Sequence, residues 1–205
     1  QAWLGFAGMT GLTAYAGLQR IAGLKADDVV FVSAASGGVG SLACQIAQLK
    51  GCRVIGAAGG ERKAAFLRDG MKLDGVIDYK AEPNLTKALA REVKVVGASG
   101  IDVYFDNVGG DILEACLPQM NLNGRIACCG AVSQYDGAPS ATGPRGVPGL
   151  IVVKRLIMQG FIVMDYYDQR EKAMADLQSW VKAGKLKVQE DVIDGLENTP
   201  QALIG

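Results

Sequence analysis

The stretch Ala34-Ala35-Ser36-Gly37-Gly38-Val39-Gly40 follows the apolar run "DVVFVSA" and leads into "SLACQIAQLK". Read from Ala35, it has the spacing G-x-G-x-x-G with alanine in the first place. That spacing suits a phosphate. Gly37 lets backbone approach a pyrophosphate, and Gly40 lets a helix pack close to a strand. The helix N-terminus adds free N–H groups and a partial positive charge. Glycines alone also fit a simple strand-to-helix turn. Here they follow the first core strand and open the first core helix, which is the context phosphate binding requires.

The end of the next strand narrows the ligand. An NAD site places Asp or Glu there, about 20 residues on, to hold the ribose 2′-OH. In "VIGAAGGERK" the residues Ala57, Ala58, Gly59 and Gly60 carry no carboxylate, and Arg62 and Lys63 follow. A small neutral strand end followed by cations fits a 2′-phosphate, so NADP(H) is expected over NAD(H). The plainer reading of Arg62 and Lys63 is a solvated helix start. Cations there oppose the helix dipole, which favours the phosphate reading, with Lys63 ahead of Arg62. Glu61 at the same turn could instead partner the dipole. Tyr79 ends the third strand near the same adenosine pocket and could hydrogen-bond the phosphate.

The fourth and fifth strands end in "FDNVGG" (105–110) and "CCGAVSQY" (128–135), which should line the crevice where ligands bind in such sheets. Asn107 can donate and accept across a ribose or carboxamide, and Gly109 and Gly110 permit close approach. Asp106 either caps the following helix or takes part in chemistry. Cys128 and Cys129 are expected as small core residues rather than reactive thiols.

These residues need a frame, and the chain's periodicity supplies one. "GMTGLTAYAGLQRIAGL" has helical spacing and closes at Gly23; "VGSLACQIAQLKG" carries a stripe from Val39 to Leu49 and closes at Gly51. Short apolar runs, "DDVVFVSA", "CRVIGAAG", "GVIDY", "IDVYFDNV" and "GRIACCGA", alternate with the helical segments "ERKAAFLRDG", "NLTKALAREV" and "GDILEACLPQM". After a loop at 136–149 come a short helix "LIVVKRLIM", a strand "QGFIVMDY", a helix "REKAMADLQSWVKAGK", a short strand "VQEDVI" and the start of another helix. The fold class expected is α/β: a doubly wound parallel sheet (Rossmann fold) of about six core strands with helices on both faces. No internal domain boundary is read, so residues 1–205 form one unit.

Composition removes whole classes of chemistry. The 205 residues hold no histidine, which excludes histidine-based zinc sites and Ser-His-Asp or Cys-His catalysis from this chain. No metal site is expected. Lys+Arg 21 balances Asp+Glu 21, so no basic field draws in nucleic acid or an anionic membrane. The apolar stretches are too short to span a bilayer. Five cysteines without paired spacing suit a reducing compartment, and the expected location is cytoplasmic. The chain opens with "QAWLGFAGMT" and stops at "QALIG", and it is read as one domain of something longer.

The segments "GMTGLTAYAGL", "AASGGVGS", "KGCRVIGAAG", "YFDNVGG" and "GRIACCGAVSQY" resemble the zinc-independent branch of the medium-chain dehydrogenase/reductase superfamily. The likeness is to its prostaglandin reductase and alkenal double-bond reductase group, curcumin-reductase-like enzymes included, and it runs over nearly the whole chain. It implies an NADP-binding domain, with an N-terminal GroES-like domain and a C-terminal end lying outside these residues. It implies NADP(H) contacts at Gly37, Gly38, Val39 and Gly40, at Lys63 and Tyr79 on the 2′-phosphate side, and at Asn107. It implies further contacts from Cys129, Gly130, Ala131, Val132, Ser133, Gln134 and Tyr135 near the nicotinamide, and from Phe161, Ile162 and Val163. Met9 and Thr13 would face the nicotinamide from a domain-linking helix. The loop "YDGAPSATGPRGVPG" corresponds to a proline-rich lid beside the pocket, and its sequence leaves substrate choice open.

The activity implied is reduction of the C=C bond of α,β-unsaturated aldehydes and ketones. Hydride goes to the β-carbon and a proton, from a Tyr or water, to the α-carbon. Tyr135 is the candidate catalytic residue. The partners implied are a small enone or enal and a second copy of the chain, paired through an apolar edge strand at 158–166. An NADPH:quinone reductase is a near alternative, and a non-catalytic NADP(H)-binding module is a second. A redox sensor built on Cys128 and Cys129 is a third.

Overall fold

The computed structural model describes residues 5–135, 143–190 and 192–204, with side chains given to residue 202. Six strands form one parallel sheet: β1 (Val29–Val32), β2 (Arg53–Ala58), β3 (Gly75–Asp78), β4 (Ile101–Asp106), β5 (Met120–Cys128) and β6 (Ile157–Gly160). Their order is β3-β2-β1-β4-β5-β6, and every neighbouring pair is parallel. The chain runs outward from β1 to one edge, returns, and then runs to the other edge. This leaves a crevice beyond the carboxyl ends of β1 and β4, where the winding reverses.

The apolar runs explain the strands. All four residues of β1 are buried because the sheet is covered on both faces. Val30 and Val32 enter one core with Leu42, Ile46 and Phe105, while Val29 and Phe31 enter the other with Tyr104, Leu89 and Leu117. Phe31 and Tyr104 stack there with ring centroids 4.9 Å apart. Helices α1 (Met9–Ala16), α2 (Gly38–Leu49) and α7 (Arg170–Lys182) contribute to the first core. Helices α4 (Leu85–Val95), α5 (Gly110–Cys116) and α6 (Val147–Lys154) contribute to the second. The short helices α3 (Glu61–Ala65) and α8 (Thr199–Ile204) complete the set.

Local signals set the helix ends. Asn84 caps α4 by accepting from the Lys87 N–H at 2.9 Å. Gly51, at φ +84°, terminates α2 as the spacing predicts. Helix α1 continues as a π-helical turn (Gly17–Ile21), and α3 as another (Phe66–Gly70).

Three expectations from the sequence are corrected. The expected edge strand over 158–166 is β6, only Ile157–Gly160. Its partner β5 ends opposite Gly160, so Phe161 turns inward and 3₁₀ turns follow over Val163–Gln169. The expected helix "LIVVKRLIM" begins earlier, at Val147, and Arg155 in the left-handed region (φ +49°) stops it. No strand forms over 188–193 among the described residues. Side chains hold the chain just before it instead. The Gln45 carbonyl accepts from the Lys187 N–H at 2.7 Å, and its amide donates to the Lys187 carbonyl at 3.1 Å. No helix among the described residues is long and apolar enough to cross a membrane.

Candidate functional site

The glycine turn is built for close backbone contact. Gly37 N–H donates to the Ala34 carbonyl at 3.0 Å, and Ala35 N–H donates to Ala57 at 2.9 Å. These bonds fix the turn against the ends of β1 and β2. Gly40 lies directly beneath the Ala34 carbonyl oxygen, where any Cβ would collide with it. Alanine in the first motif place is tolerated because Ala35 is fully buried and makes only the ordinary strand-end bond. The N-terminus of α2 has no side-chain cap and no carboxylate in its first turn. Its first N–H groups therefore have no side-chain cap, and no carboxylate offsets the positive end of the dipole, the two conditions an anion cradle needs.

The cations expected from sequence lie beside that cradle. A cleft of about 440 Å³ is lined by Ser36, Gly37, Gly38, Ser41, Arg62 and Lys63 together with Phe66 and Gln189. Arg62 and Lys63 form no ion pair among the described residues, whereas the neighbouring Glu61 is paired with Arg68 at 3.3 Å. Tyr79 reaches back over the end of β2. A Cβ on Gly59 would come 2.6 Å from the Tyr79 hydroxyl and 3.1 Å from Lys80 Cε. Gly59 is small because these two side chains cover it.

Asp106 at the end of β4 is a structural acceptor. Its Oδ1 accepts from the Tyr104 hydroxyl (2.7 Å), Ser33 Oγ (3.3 Å), Val108 N (2.9 Å) and Gly109 N (2.8 Å), and the residue is buried. It thereby fixes the turn ahead of α5, whose own N-cap is Gly109 without a side-chain cap, so Asp106 braces the turn rather than capping the helix. Asn107, next along, spends one amide N–H on the Ser33 carbonyl at 2.7 Å.

The loop after β5 hangs on this turn. Cys129 and Gly130 N–H donate to the Asp106 carbonyl at 2.8 and 3.1 Å, and Val132 N–H donates to Asn107 at 3.3 Å. Ser133 donates to the Val108 carbonyl from both Oγ (2.6 Å) and N (3.2 Å). Gln134 N–H closes a turn on Ala131. The Tyr135 ring is 69% exposed, and its hydroxyl lies 3.4 Å from the Ala131 amide nitrogen, which donates to it. Residues 136–142, the proline-rich loop, lie outside the described residues.

Cys128 and Cys129 point into opposite cores, and burial pushes each thiol up to about 11, with Asp106 adding to the shift. That is the environment of inert core thiols.

Three expected contacts are placed differently from one another. Phe161 packs edge-on against Phe105 at 6.3 Å and Tyr166 at 6.2 Å, and Val163 is buried, so both side chains belong to the core. Only Ile162 between them is exposed, at 63%. Met9 opens α1 with its side chain exposed, while the Thr13 hydroxyl is bonded to the Met9 carbonyl at 2.7 Å. The start of α1 reaches the cradle through Thr10, whose methyl would lie 3.6 Å from a Cβ on Gly38.

Sequence reasoning missed three residues here. Ser33 and Lys80 carry no motif signal. Asp78, the last residue of β3, was legible only as a strand end; its Oδ1 accepts from Gly60 N at 2.8 Å and Lys80 N at 3.0 Å. The Gly60 N–H bond chiefly holds its carboxyl below the usual carboxylate range.

The chain matches the family model described as "Zinc-binding dehydrogenase" over residues 38–179. It is 46% identical to prostaglandin reductase 1 of Bos taurus over 204 residues, covering 98% of this chain and 60% of that protein. It is 43% identical to a 2-alkenal reductase (NADP(+)-dependent) of Nicotiana tabacum, covering 99% of this chain and 57% of that protein. The crystal structure of CurA from Vibrio vulnificus in complex with NADPH superposes with a TM-score of 0.88 at 41% identity, covering 100% of this chain and 60% of that one. The chain thus spans about 60% of the length of the relatives it matches.

Proposed function

Because the chain belongs to the zinc-binding dehydrogenase family, we propose that it is the NADP-binding domain of a zinc-independent oxidoreductase that reduces the C=C bond of α,β-unsaturated aldehydes and ketones. The observation that carries this reading is the cleft where Arg62 and Lys63, with no ion pair among the described residues, stand beside Gly37 and Gly38, with no carboxylate at the end of β2. A 2′-phosphate would be attracted there, and a bare ribose would find no acceptor of the usual kind. The NADP(+)-dependent 2-alkenal reductase of tobacco and CurA in complex with NADPH, both similar to this chain, support it. The family's description names zinc, but the chain has no histidine, and the described residues hold no cluster of Cys, Asp or Glu fit for a metal.

The residues fit the cofactor in four places. The α2 N-terminus over Gly37 to Gly40 would hold the pyrophosphate. Lys63 and Tyr79 would hold the 2′-phosphate. Asn107 would offer its side-chain carbonyl to the ribose or carboxamide, and the loop from Cys129 to Tyr135 would flank the nicotinamide together with Met9, Thr13 and the segment 161–163. When bound, the cofactor supplies the hydride that reaches the substrate's β-carbon. Tyr135 would orient the substrate or deliver a proton to the α-carbon. A GroES-like domain outside these residues would complete the substrate pocket. The exposed apolar side chains of β6, Ile157 and Met158, suit pairing with a second copy, which light scattering of the chain would detect. A cytoplasmic location accords with five free cysteines.

The test is a fluorescence titration with NADPH and, in parallel, NADH. Preference for NADPH that weakens in Lys63→Ala is expected. Equal binding of both would overturn the cofactor assignment. In the protein that carries this chain, NADPH oxidation driven by quinones but not by enones would move the reading to a quinone reductase.

A further inference from the structure

The two turns that would read the 2′-phosphate arise from different strands, yet one carboxylate oxygen ties them. Asp78 Oδ1 accepts from Gly60 N at 2.8 Å and from Lys80 N at 3.0 Å. Gly60 is the residue before α3, at φ +94°, and α3 carries Lys63. Lys80 and Tyr79 lie on the turn after β3, and both side chains reach over Gly59. The tie therefore fixes Lys63 on one side and Tyr79 and Lys80 on the other. Backbone bonds complete the brace: Tyr79 N–H donates to Ala58 at 3.1 Å, and Ala81 N–H donates to the Asp78 carbonyl at 3.1 Å. Lys80 has no ion-pair partner among the described residues, so a third cation stands at this corner besides Arg62 and Lys63.

We propose that Asp78 is a positioning residue for cofactor selectivity: without touching the phosphate, it fixes the two turns whose side chains distinguish NADPH from NADH, Lys80 among them. The inference rests on the NADPH reading given above. It has an unusual sign. A carboxylate near a phosphate should repel it by simple Coulomb attraction and repulsion, so removing one should tighten NADPH. If Asp78 acts by holding geometry, removing it loosens NADPH instead.

The experiment titrates the 205-residue chain with NADPH and NADH, and follows thermal unfolding without cofactor. Asp78→Ala should raise the NADPH Kd by about tenfold, as expected when charge-assisted bonds are lost, and the NADH Kd by less than about threefold. Asp78→Asn keeps an acceptor oxygen and should retain most of the preference for NADPH. Asp78→Glu keeps the charge but displaces the oxygen, and should lose the preference as the alanine variant does; it carries the test if the alanine variant does not fold. An unchanged NADPH/NADH ratio in both Asp78→Ala and Asp78→Glu, tighter NADPH in Asp78→Ala, or Asp78→Asn as unselective as Asp78→Ala would each overturn the proposal. A wild-type chain with no preference for NADPH would overturn the cofactor reading itself, a result separable from the others.

Discussion

Asn107 and Ser33 clasp one another across the ends of β4 and β1: Asn107 N donates to Ser33 Oγ at 2.9 Å, and Asn107 Nδ2 donates to the Ser33 carbonyl at 2.7 Å. The asparagine at the switch point is thus held in one orientation, with its side-chain carbonyl left for a ligand. Ser33→Ala should leave the Asn107 N–H without its acceptor and lower stability by about 1–3 kcal/mol, read from urea unfolding. Asn107→Ala should weaken NADPH and NADH by the same factor, because neither the ribose nor the carboxamide near the nicotinamide distinguishes them. A change in the ratio of the two affinities would count against this placement.

Gly40 and the Ala34 carbonyl leave no room between α2 and the end of β1. Gly40→Ala should therefore push α2 away from β1 and cost about 1–3 kcal/mol as an overpacked site. It should also weaken both cofactors, since the cradle moves with the helix. Gly38→Ala, where the nearest atom would be a Thr10 methyl at 3.6 Å, should cost far less. Thermal unfolding of the two variants in parallel makes the comparison.

The elements that place the site were readable because they depend on local sequence. Buried strands show as apolar runs such as Val29 to Val32, and the glycine turn shows by its spacing. What escaped reading depends on contacts between distant segments. Asp78 looks like any strand-end carboxylate until the fold brings Gly60, 18 residues earlier in the chain, within 2.8 Å. Phe161 extends an apolar run in sequence, but β5 has already ended beside it, so it turns to Phe105 and the strand stops. Residues 188–193 have strand-like composition, but among the described residues they join no strand pair, and the chain just before them is bonded to the Gln45 side chain at Lys187 instead.

Helix α7 is fastened to α1 by a polar cluster: Tyr15 OH donates to Asp176 Oδ2 at 2.6 Å, and Lys172 Nζ reaches both at 3.0 and 3.1 Å. The Tyr15 hydrogen bond is the main cause holding the Asp176 carboxyl below its ordinary value. A depressed carboxylate stabilises the fold above its unfolded pKa, and that contribution is lost as pH falls through the folded value. Tyr15→Phe should cost about 1 kcal/mol at neutral pH, with the difference from wild type shrinking below about pH 4. A difference independent of pH would contradict this.

The buried thiols predict the opposite limb. Burial raises Cys128 and Cys129 to about 11 and Cys52 to about 12. In the unfolded chain thiols ionise near their ordinary value of about 8.5. The stability these groups give is complete below that pH and is lost as pH rises through the folded values, at most about 1.4 kcal/mol per pH unit for each thiol. The double variant Cys128→Ser, Cys129→Ser should flatten the fall in stability between about pH 9 and about pH 11. In wild type, iodoacetamide should label these two thiols slowly at neutral pH. Rapid labelling would revive the redox-sensor alternative.

Tyr135 offers the sharpest test of the chemistry. The residue is 69% exposed, and among the described residues its hydroxyl accepts from the Ala131 amide nitrogen at 3.4 Å. The hydroxyl accepts in that bond, so the bond does not use the phenol's own proton. If the hydroxyl orients an enone or delivers the proton, Tyr135→Phe in the protein that carries this chain should lower kcat by about 100–10,000-fold, with NADPH affinity unchanged. The fold should be unaffected, because phenylalanine keeps the ring and the hydroxyl's hydrogen bond among the described residues is long, at 3.4 Å. A kcat within about twofold of wild type would assign the proton to water. Tyr135 would then only flank the nicotinamide, and the loss in Tyr135→Ala would appear in KM for the enone instead.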